Sequence, residues 1–208
     1  MRLLLISNST NAGEAYLDYP KNNIREFLGI RKVKALFIPY AAVTFSYDDY
    51  EAKVKNRFNE VGHDVVSIHR FKDPVKAIAD AQAIVVGGGN TWMLLKCLRD
   101  NRLIAPVRKK VLAGTPYIGW SAGSNVTCPT IMTTNDMPVT APSSFRAFGL
   151  AHTSHVGSEP RLGFLPPLAR GTQTVAVMKL PPRSNLVSFA LGSGPVPPAK
   201  LMRISGTR

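Results

Sequence analysis

Short, continuously apolar runs alternate along the first 120 residues with stretches whose apolar positions recur every three or four residues. Runs of strand length occupy 3–6, 33–41, 64–71, 83–90 and 116–120. The stretches between and beside them predict helices over 20–30, 46–62, 73–81, 91–101 and 104–114. Apolar strands that alternate with helices are typical of a parallel sheet covered on both faces. The pattern therefore predicts an α/β fold with a doubly wound, mostly parallel sheet.

This pattern changes near residue 150. Beyond it the chain contains Pro-Pro three times, and half of its 16 prolines lie after residue 146. Two short runs, 174–180 and 185–191, are compatible with strands, but no stretch free of Pro and Gly is long enough to predict a helix. We therefore divide the chain into a domain at 1–150 and a Pro-rich tail at 151–208, which we expect to be poorly ordered.

The distribution of charge marks the same break. The net charge of the chain is +13, and residues 146–208 carry eight basic residues and a single acid, Glu159. Charge alone would admit a nucleic-acid partner, but these cations are scattered and lack interleaved aromatic residues. We therefore do not expect nucleic acid as a partner. The excess of basic residues instead shows that the composition of the tail differs from that of the domain at 1–150.

Composition also limits the cellular setting. No apolar run reaches the ~18 residues of a membrane span, and the apolar run at the N-terminus is too brief for a signal peptide. The two cysteines, Cys97 and Cys128, are too few for a disulfide framework and do not have metal-ligand spacing. We expect a reduced, cytoplasmic protein that has no metal and no membrane contact. Both a monomer and a homodimer remain open.

The strand at 116–120 runs into Gly119-Trp120-Ser121-Ala122-Gly123. A Gly-x-Ser-x-Gly turn between a strand and a helix is typical of a nucleophile elbow, which exposes the serine hydroxyl at a helix N-terminus. The preceding predicted strand in the chain, 83–90, ends in a second glycine corner, Gly87–Gly89. Because active sites collect at the carboxyl ends of parallel strands, we expect the two corners to meet. A plain tight turn is the alternative for each corner.

A nucleophilic serine also needs a base, usually a histidine held by a carboxylate. Asp136 is the only acid between Asp100 and Glu159, so it is a candidate carboxylate; a helix cap or a solvated loop residue is the alternative. His63 and His69 lie next to a predicted helix end and in a predicted strand, where a structural role is more common. Only two histidines, His152 and His155, follow the serine, and both lie in the tail.

Five ordered motifs, "LLLISNST", "FIPYAAVT", "VVGGGNTW", "YIGWSAGSN" and "CPTIMTTNDMP", resemble peptidase E, the α-aspartyl dipeptidase family of serine peptidases. That family is related to cyanophycinase and resembles the fold of class I glutamine amidotransferases. The resemblance runs from residue 1 to about 150. It implies hydrolysis of dipeptides with an N-terminal aspartate, without metal or cofactor. It also implies that Ser121 is the nucleophile, that Asp136 is the triad aspartate, and that the N–H groups of Gly88 and Ala122 form the oxyanion hole.

The chain departs from the family in two places. Members tend to carry a basic residue at the position of Met132, where a cation could bind an aspartyl substrate. The family also places an Asn-Pro-His, which supplies the catalytic histidine, shortly after the segment that "FRAFGL" matches. Ungapped counting puts that histidine at Ser158, and no Asn-Pro-His occurs in this chain. His155 is the remaining candidate base.

Three interpretations follow. The chain is a serine dipeptidase, or it is an inactive, truncated or frame-altered member of that family. The third, an α/β-hydrolase esterase, is weaker because the glycine corner lacks the His-Gly-Gly motif.

Overall fold

The computed structural model describes residues 1–151 and the strand at 175–179. Six strands in these residues form a sheet: β1 (Arg2–Ile6), β2 (Lys34–Ile38), β3 (Asp64–Ser67), β4 (Ile84–Val86), β5 (Pro116–Trp120) and β6 (Val175–Lys179). Their order is β3-β2-β4-β5-β1-β6. The first five strands pair in parallel, and β6 pairs antiparallel with β1 at one edge. The prediction of a mostly parallel α/β sheet is confirmed.

Each of the five predicted helices is present. The helices of the described residues are α1 (Lys21–Leu28), α2 (Tyr47–Glu60), α3 (Pro74–Asp80), α4 (Thr91–Asp100), α5 (Ile104–Leu112) and the short α6 (Ala122–Asn125). Three of them begin where a polar side chain accepts a hydrogen bond from a main-chain N–H three residues on; these caps are Ser46, Asp73 and Asn90. Such caps satisfy N–H groups that have no partner within the helix, so local sequence fixes where these helices begin.

Both faces of the sheet are buried, which explains why its strands are continuously apolar. In β1, Leu3 and Leu5 face one apolar cluster, whereas Leu4 and Ile6 face the other. Side chains of α1 and α2 complete the second cluster, and α3, α4 and α5 complete the first. None of the helices in the described part of the chain is long and apolar enough to cross a membrane.

The strand predicted over 64–71 is too long. β3 ends at Ser67, and the chain turns into a 3₁₀ helix at Ile68–Arg70, so His69 does not lie in a strand. Polar contacts cause the turn, because the Glu51 carboxylate accepts the N–H of Ser67 at 2.7 Å and the His69 ring lies 2.6 Å from the Ser67 hydroxyl.

β6 lies within the run 174–180, which is compatible with a strand by sequence, and it belongs to the segment that was expected to be poorly ordered. The second predicted run, 185–191, lies outside the described residues, as does the rest of the prediction for the tail.

Candidate active site

Ser121 lies where β5 ends and α6 begins, at the carboxyl edge of the sheet. Its backbone has φ of 50° and ψ of −116°, a left-handed conformation that costs a non-glycine residue about 1–3 kcal/mol. Its N–H donates to the carbonyl of Ile6 at 3.0 Å, and its carbonyl accepts from the N–H groups of Ser124 and Asn125, both at 2.9 Å. The strained turn is therefore held on both sides by main-chain hydrogen bonds.

The glycines on either side of the elbow are required by contact. A Cβ on Gly119 would lie 2.5 Å from the carbonyl oxygen of Gly123, and a Cβ on Gly123 would overlap the carbonyl oxygen of Val86. These neighbours are backbone atoms of the turn and of β4, which cannot move aside like a side chain. Positions 119 and 123, on either side of Ser121, must therefore lack a side chain.

Ser124, one residue beyond the elbow motif, ties α6 to the sheet. Its hydroxyl lies 2.8 Å from the carbonyl oxygens of both Ile6 and Gly119, and it accepts the N–H of Ile6 at 3.2 Å. These contacts join the ends of β1 and β5 to the first turn after Ser121. Ser124 therefore helps to offset the strain at the elbow, a role that the sequence motif did not reveal.

The glycine corner after β4 lies directly against Ser121. A Cβ on Gly88 would be 3.0 Å from the Cβ of Ser121 and 2.8 Å from the Trp120 ring, so only glycine fits. Among the described residues, the N–H groups of Gly88 and Ala122 donate no hydrogen bond. Main-chain donors that have no partner beside a serine hydroxyl are what an oxyanion hole needs.

Tyr50, on α2, lies beneath the glycine corner after β4 and the turn at Ser121, and it is almost fully buried. Its hydroxyl is 2.9 Å from the Gly88 carbonyl and 3.2 Å from both the indole Nε1 of Trp120 and the hydroxyl of Tyr16. Burial raises the pKa of Tyr50 above its usual value, so the hydroxyl keeps its proton at neutral pH. One buried phenol therefore contacts both the glycine corner and the residue that precedes Ser121.

Asp136 lies at the N-terminus of α4. Its Oδ2 accepts the N–H of Thr91 at 2.8 Å and the Thr91 hydroxyl at 2.5 Å, and its carbonyl accepts the indole N–H of Trp92 at 2.9 Å. The Thr91 hydroxyl also lies 3.5 Å from the side-chain nitrogen of Asn125 on α6. The structural alternative for Asp136, a carboxylate that caps a helix, is therefore present. The same contacts connect it through Thr91 and Asn125 to the helix that follows Ser121.

The two histidines in the described residues are engaged away from Ser121. The buried His63 accepts the N–H of Val33 on Nδ1 at 3.3 Å. The ring of His69 bridges Ser67 and the carboxylate of Asp48, which is 3.0 Å from its Nε2. The structural roles expected for both are confirmed by these contacts. His152 and His155 lie outside the described residues.

One group of metal-ligating type occurs within the described part of the chain. Ligand atoms of Asp48, Glu51 and His69 all lie within 4.8 Å of one another. Arg70 is already paired with both carboxylates, its Nε lying 2.9 Å from Glu51 and its Nη2 2.5 Å from Asp48. The guanidinium thus offsets part of the negative charge that would attract a cation to this group.

The structure brings together Ser121, Ala122 and Gly88, and it connects Asp136 to them through two intervening side chains. Sequence reasoning missed Tyr50, Thr91 and Ser124 as supports of the site. Tyr50 was visible only as one apolar position in the stripe of α2, and nothing in the sequence shows where its hydroxyl points.

Comparison with known sequences matches this chain to a peptidase family and to several of its members. A profile of peptidase family S51 matches residues 3–161. Peptidase E of a Nostoc species is 52% identical over 149 residues, which cover 72% of this chain and 62% of that protein. Peptidase E of Citrobacter koseri is 50% identical over 150 residues, which cover 72% of this chain and 65% of that protein. This chain spans less than two thirds of the length of these relatives.

Solved structures agree on the fold. A Listeria monocytogenes EGD-e protein provisionally named peptidase E superposes with a TM-score of 0.59 at 24% identity, covering 72% of this chain and 75% of that one. A peptidase from an acI-B1 Actinobacterium gives a TM-score of 0.54 at 18% identity, with 72% and 64% covered. At these identities, the likeness concerns the fold alone.

Proposed function

Because this chain belongs to peptidase family S51, we propose that residues 1–151 carry the nucleophile and oxyanion parts of a serine dipeptidase site. The observation that carries the proposal is the strained, glycine-flanked turn at Ser121, which lies beside N–H groups of Gly88 and Ala122 that donate to no described residue. Strain of this kind persists only where the surrounding structure enforces it, and it is concentrated at functional sites.

In the proposed reaction, Ser121 Oγ bonds to the carbonyl carbon of the dipeptide, and the carbonyl π electrons move onto oxygen. The resulting oxyanion accepts hydrogen bonds from Gly88 and Ala122. Collapse breaks the C–N bond, releases the second amino acid and leaves an ester on Ser121, which water then hydrolyses. Removal of a single donor from an oxyanion hole typically costs a factor of about 10²–10³ in rate.

The serine proton must pass to a base and then to the leaving amine. Asp136 is the carboxylate we propose for orienting that base. Its Oδ2 is engaged by Thr91, whereas its Oδ1 makes no hydrogen bond to any described residue, so one oxygen could accept from an imidazole N–H. His155, outside the described residues, is the candidate imidazole.

A second candidate function is favoured by the placement of the histidines. His63 and His69 are the histidines of residues 1–151, and both make contacts away from Ser121. Position 158, where the family resemblance puts the catalytic histidine, is serine. A catalytically impaired or inactive family member is therefore the alternative. It retains the nucleophile and the oxyanion donors and lacks a placed base, which would lower the rate by several orders of magnitude.

We propose dipeptides with an N-terminal aspartate as the substrate class, following the resemblance to peptidase E. The exposed Met132 replaces the basic residue that family members tend to carry, so preference for aspartate would be weakened at that position. A comparison of Asp-Leu with Asn-Leu measures the preference, because the two first side chains have nearly the same shape but only that of Asp is charged.

Covalent labelling tests the proposal without requiring turnover. The purified chain is treated with a fluorophosphonate and the modified residue is located by mass spectrometry. We expect slow labelling at Ser121, loss of the label in Ser121→Ala, and no change in Ser143→Ala, which alters an exposed serine. Labelling spread over several serines and unaffected by Ser121→Ala would overturn the assignment of the nucleophile.

A further inference from the structure

The hydrogen bonds around the buried Tyr50 hydroxyl have a fixed direction. The indole N–H of Trp120 can only donate, and the carbonyl oxygen of Gly88 can only accept. The Tyr50 hydroxyl, at 2.9 Å from the Gly88 oxygen and 3.2 Å from Trp120 Nε1, therefore donates its proton to Gly88 and accepts from Trp120. Tyr16, whose hydroxyl is also 3.2 Å away, supplies the second donor.

The Tyr50 proton is donated to one end of the Gly88–Gly89 peptide. Because the described residues contain no cis peptide bond, the Gly88 carbonyl and the Gly89 N–H point in opposite directions. The carbonyl points into the core at Tyr50. The N–H consequently points away from the core, and it donates no hydrogen bond to any described residue.

A peptide between two glycines is the type that rotates most easily. Glycine has no Cβ to restrict rotation about the adjoining bonds, and the φ of Gly89, +135°, is one that other residues rarely adopt. Rotation of this peptide by half a turn would exchange its two ends. The Gly88 carbonyl oxygen would then point outward beside Ser121, where it would repel a forming oxyanion.

We propose that Tyr50 is a positioning residue that prevents this rotation and so keeps the Gly88 carbonyl oxygen out of the oxyanion hole formed by the N–H groups of Gly88 and Ala122; the inference rests on the function proposed for Ser121. The Tyr50 ring is fixed for this role. It packs beneath Gly87, where a Cβ would lie 2.6 Å from the Tyr50 hydroxyl, and against Phe37 with ring centroids 4.9 Å apart. Its contact with Trp120 couples the glycine corner to the elbow.

The test compares Tyr50→Phe with the matched variant Tyr40→Phe. The second removes the hydroxyl of another buried tyrosine, and that hydroxyl has no hydrogen-bond partner among the described residues. Two quantities are measured on the full chain: the orientation of the Gly88–Gly89 peptide in crystal structures, and the rate of fluorophosphonate labelling at Ser121. In that labelling, Ser121 Oγ bonds to phosphorus, fluoride leaves and the hydroxyl proton passes to solvent.

We expect Tyr50→Phe to show a rotated or mixed peptide and to be labelled at least about tenfold more slowly, whereas Tyr40→Phe stays within about twofold of the unmodified chain. p-Aminophenylalanine at position 50 restores an N–H donor to Gly88 and should restore the rate, which a purely structural role of the ring would not predict. An unrotated peptide in Tyr50→Phe would overturn the inference.

The same experiment also covers two further outcomes, the absence of labelling and the failure of a variant to fold. If Ser121 in the unmodified chain is not labelled above the Ser121→Ala background, the proposed function fails, and the peptide orientation alone decides the role of Tyr50. If Tyr50→Phe does not fold, p-methylphenylalanine and p-aminophenylalanine at position 50 make the same comparison, because the methyl group fills the volume of the hydroxyl without donating.

Discussion

Replacement of Asp136 by alanine tests whether this carboxylate supports the fold around the candidate site. The variant removes the acceptor of two hydrogen bonds from Thr91, at 2.8 and 2.5 Å, and leaves the fully buried Thr91 hydroxyl without its closest acceptor among the described residues. Hydrogen bonds to charged groups contribute about 1.5–3 kcal/mol each, and a carboxylate at a helix N-terminus adds about 0.3–1 kcal/mol. Because the half-buried Asp136 regains water in the unfolded chain, the two bonds do not simply add.

We therefore expect Asp136→Ala to lower the free energy of unfolding by about 2–4 kcal/mol, which is about 4–16 °C in Tm for a protein of this size. Asp136→Asn should lose about half as much, since its amide oxygen still accepts from Thr91. Calorimetry and urea unfolding measure both variants against Asp80→Ala, which removes an exposed aspartate that has no partner among the described residues. A Tm for Asp136→Ala within 1 °C of the unmodified chain would refute the assignment of Asp136 as a structural cap.

Two other predictions concern stability. Burial lowers the pKa of His63 below the usual 6.5. As pH falls below about 6.5, the unfolded chain takes up a proton that the folded chain does not, so the free energy of unfolding decreases. Urea midpoints at pH 7.5 and 5.5 should differ less in His63→Gln than in the unmodified chain; an equal difference would contradict the prediction. Gly123→Ala places a Cβ against the carbonyl oxygen of Val86, so we expect a loss of about 3 kcal/mol or more, or insoluble protein on expression. A soluble variant whose Tm lies within 2 °C of that of the unmodified chain would contradict the prediction, because β4 would then have moved to accommodate the Cβ.

The fold of residues 1–120 could be predicted from sequence because the apolar pattern and the local capping residues indicate the same strands and helices. Continuously apolar strands reflect burial on both faces, and caps such as Ser46 and Asp73 mark the starts of helices. The prediction was wrong where tertiary contacts outweigh the local pattern. The apolar run at 64–71 favours a longer strand, but the bonds from Ser67 to Glu51 and His69 end β3 early.

The candidate site was predictable in part, for a physical reason. A glycine that must lack a Cβ, such as Gly88 or Gly123, leaves a mark in the sequence because no other residue fits. The contacts that orient such a corner leave no comparable mark, because the Tyr50 hydroxyl and the Thr91 hydroxyl look like ordinary positions of their helices. Sequence also left Asp136 with two alternatives. The structure shows that Asp136 caps the N-terminus of α4, whereas a catalytic role for Asp136 stays a proposal.

The central claim is that residues 1–151 carry a sound nucleophile and oxyanion hole, and we propose that the full chain, His155 included, places no base beside them. The most direct test measures Asp-Leu hydrolysis by the purified chain and by a chimera in which a peptidase E tail bearing Asn-Pro-His replaces residues 151–208. We predict turnover near background for the chain, and a gain of about 10³-fold or more in the chimera that Ser121→Ala abolishes. Strong turnover by the unmodified chain, lost in both Ser121→Ala and His155→Ala, would contradict the claim, as would a folded but inactive chimera.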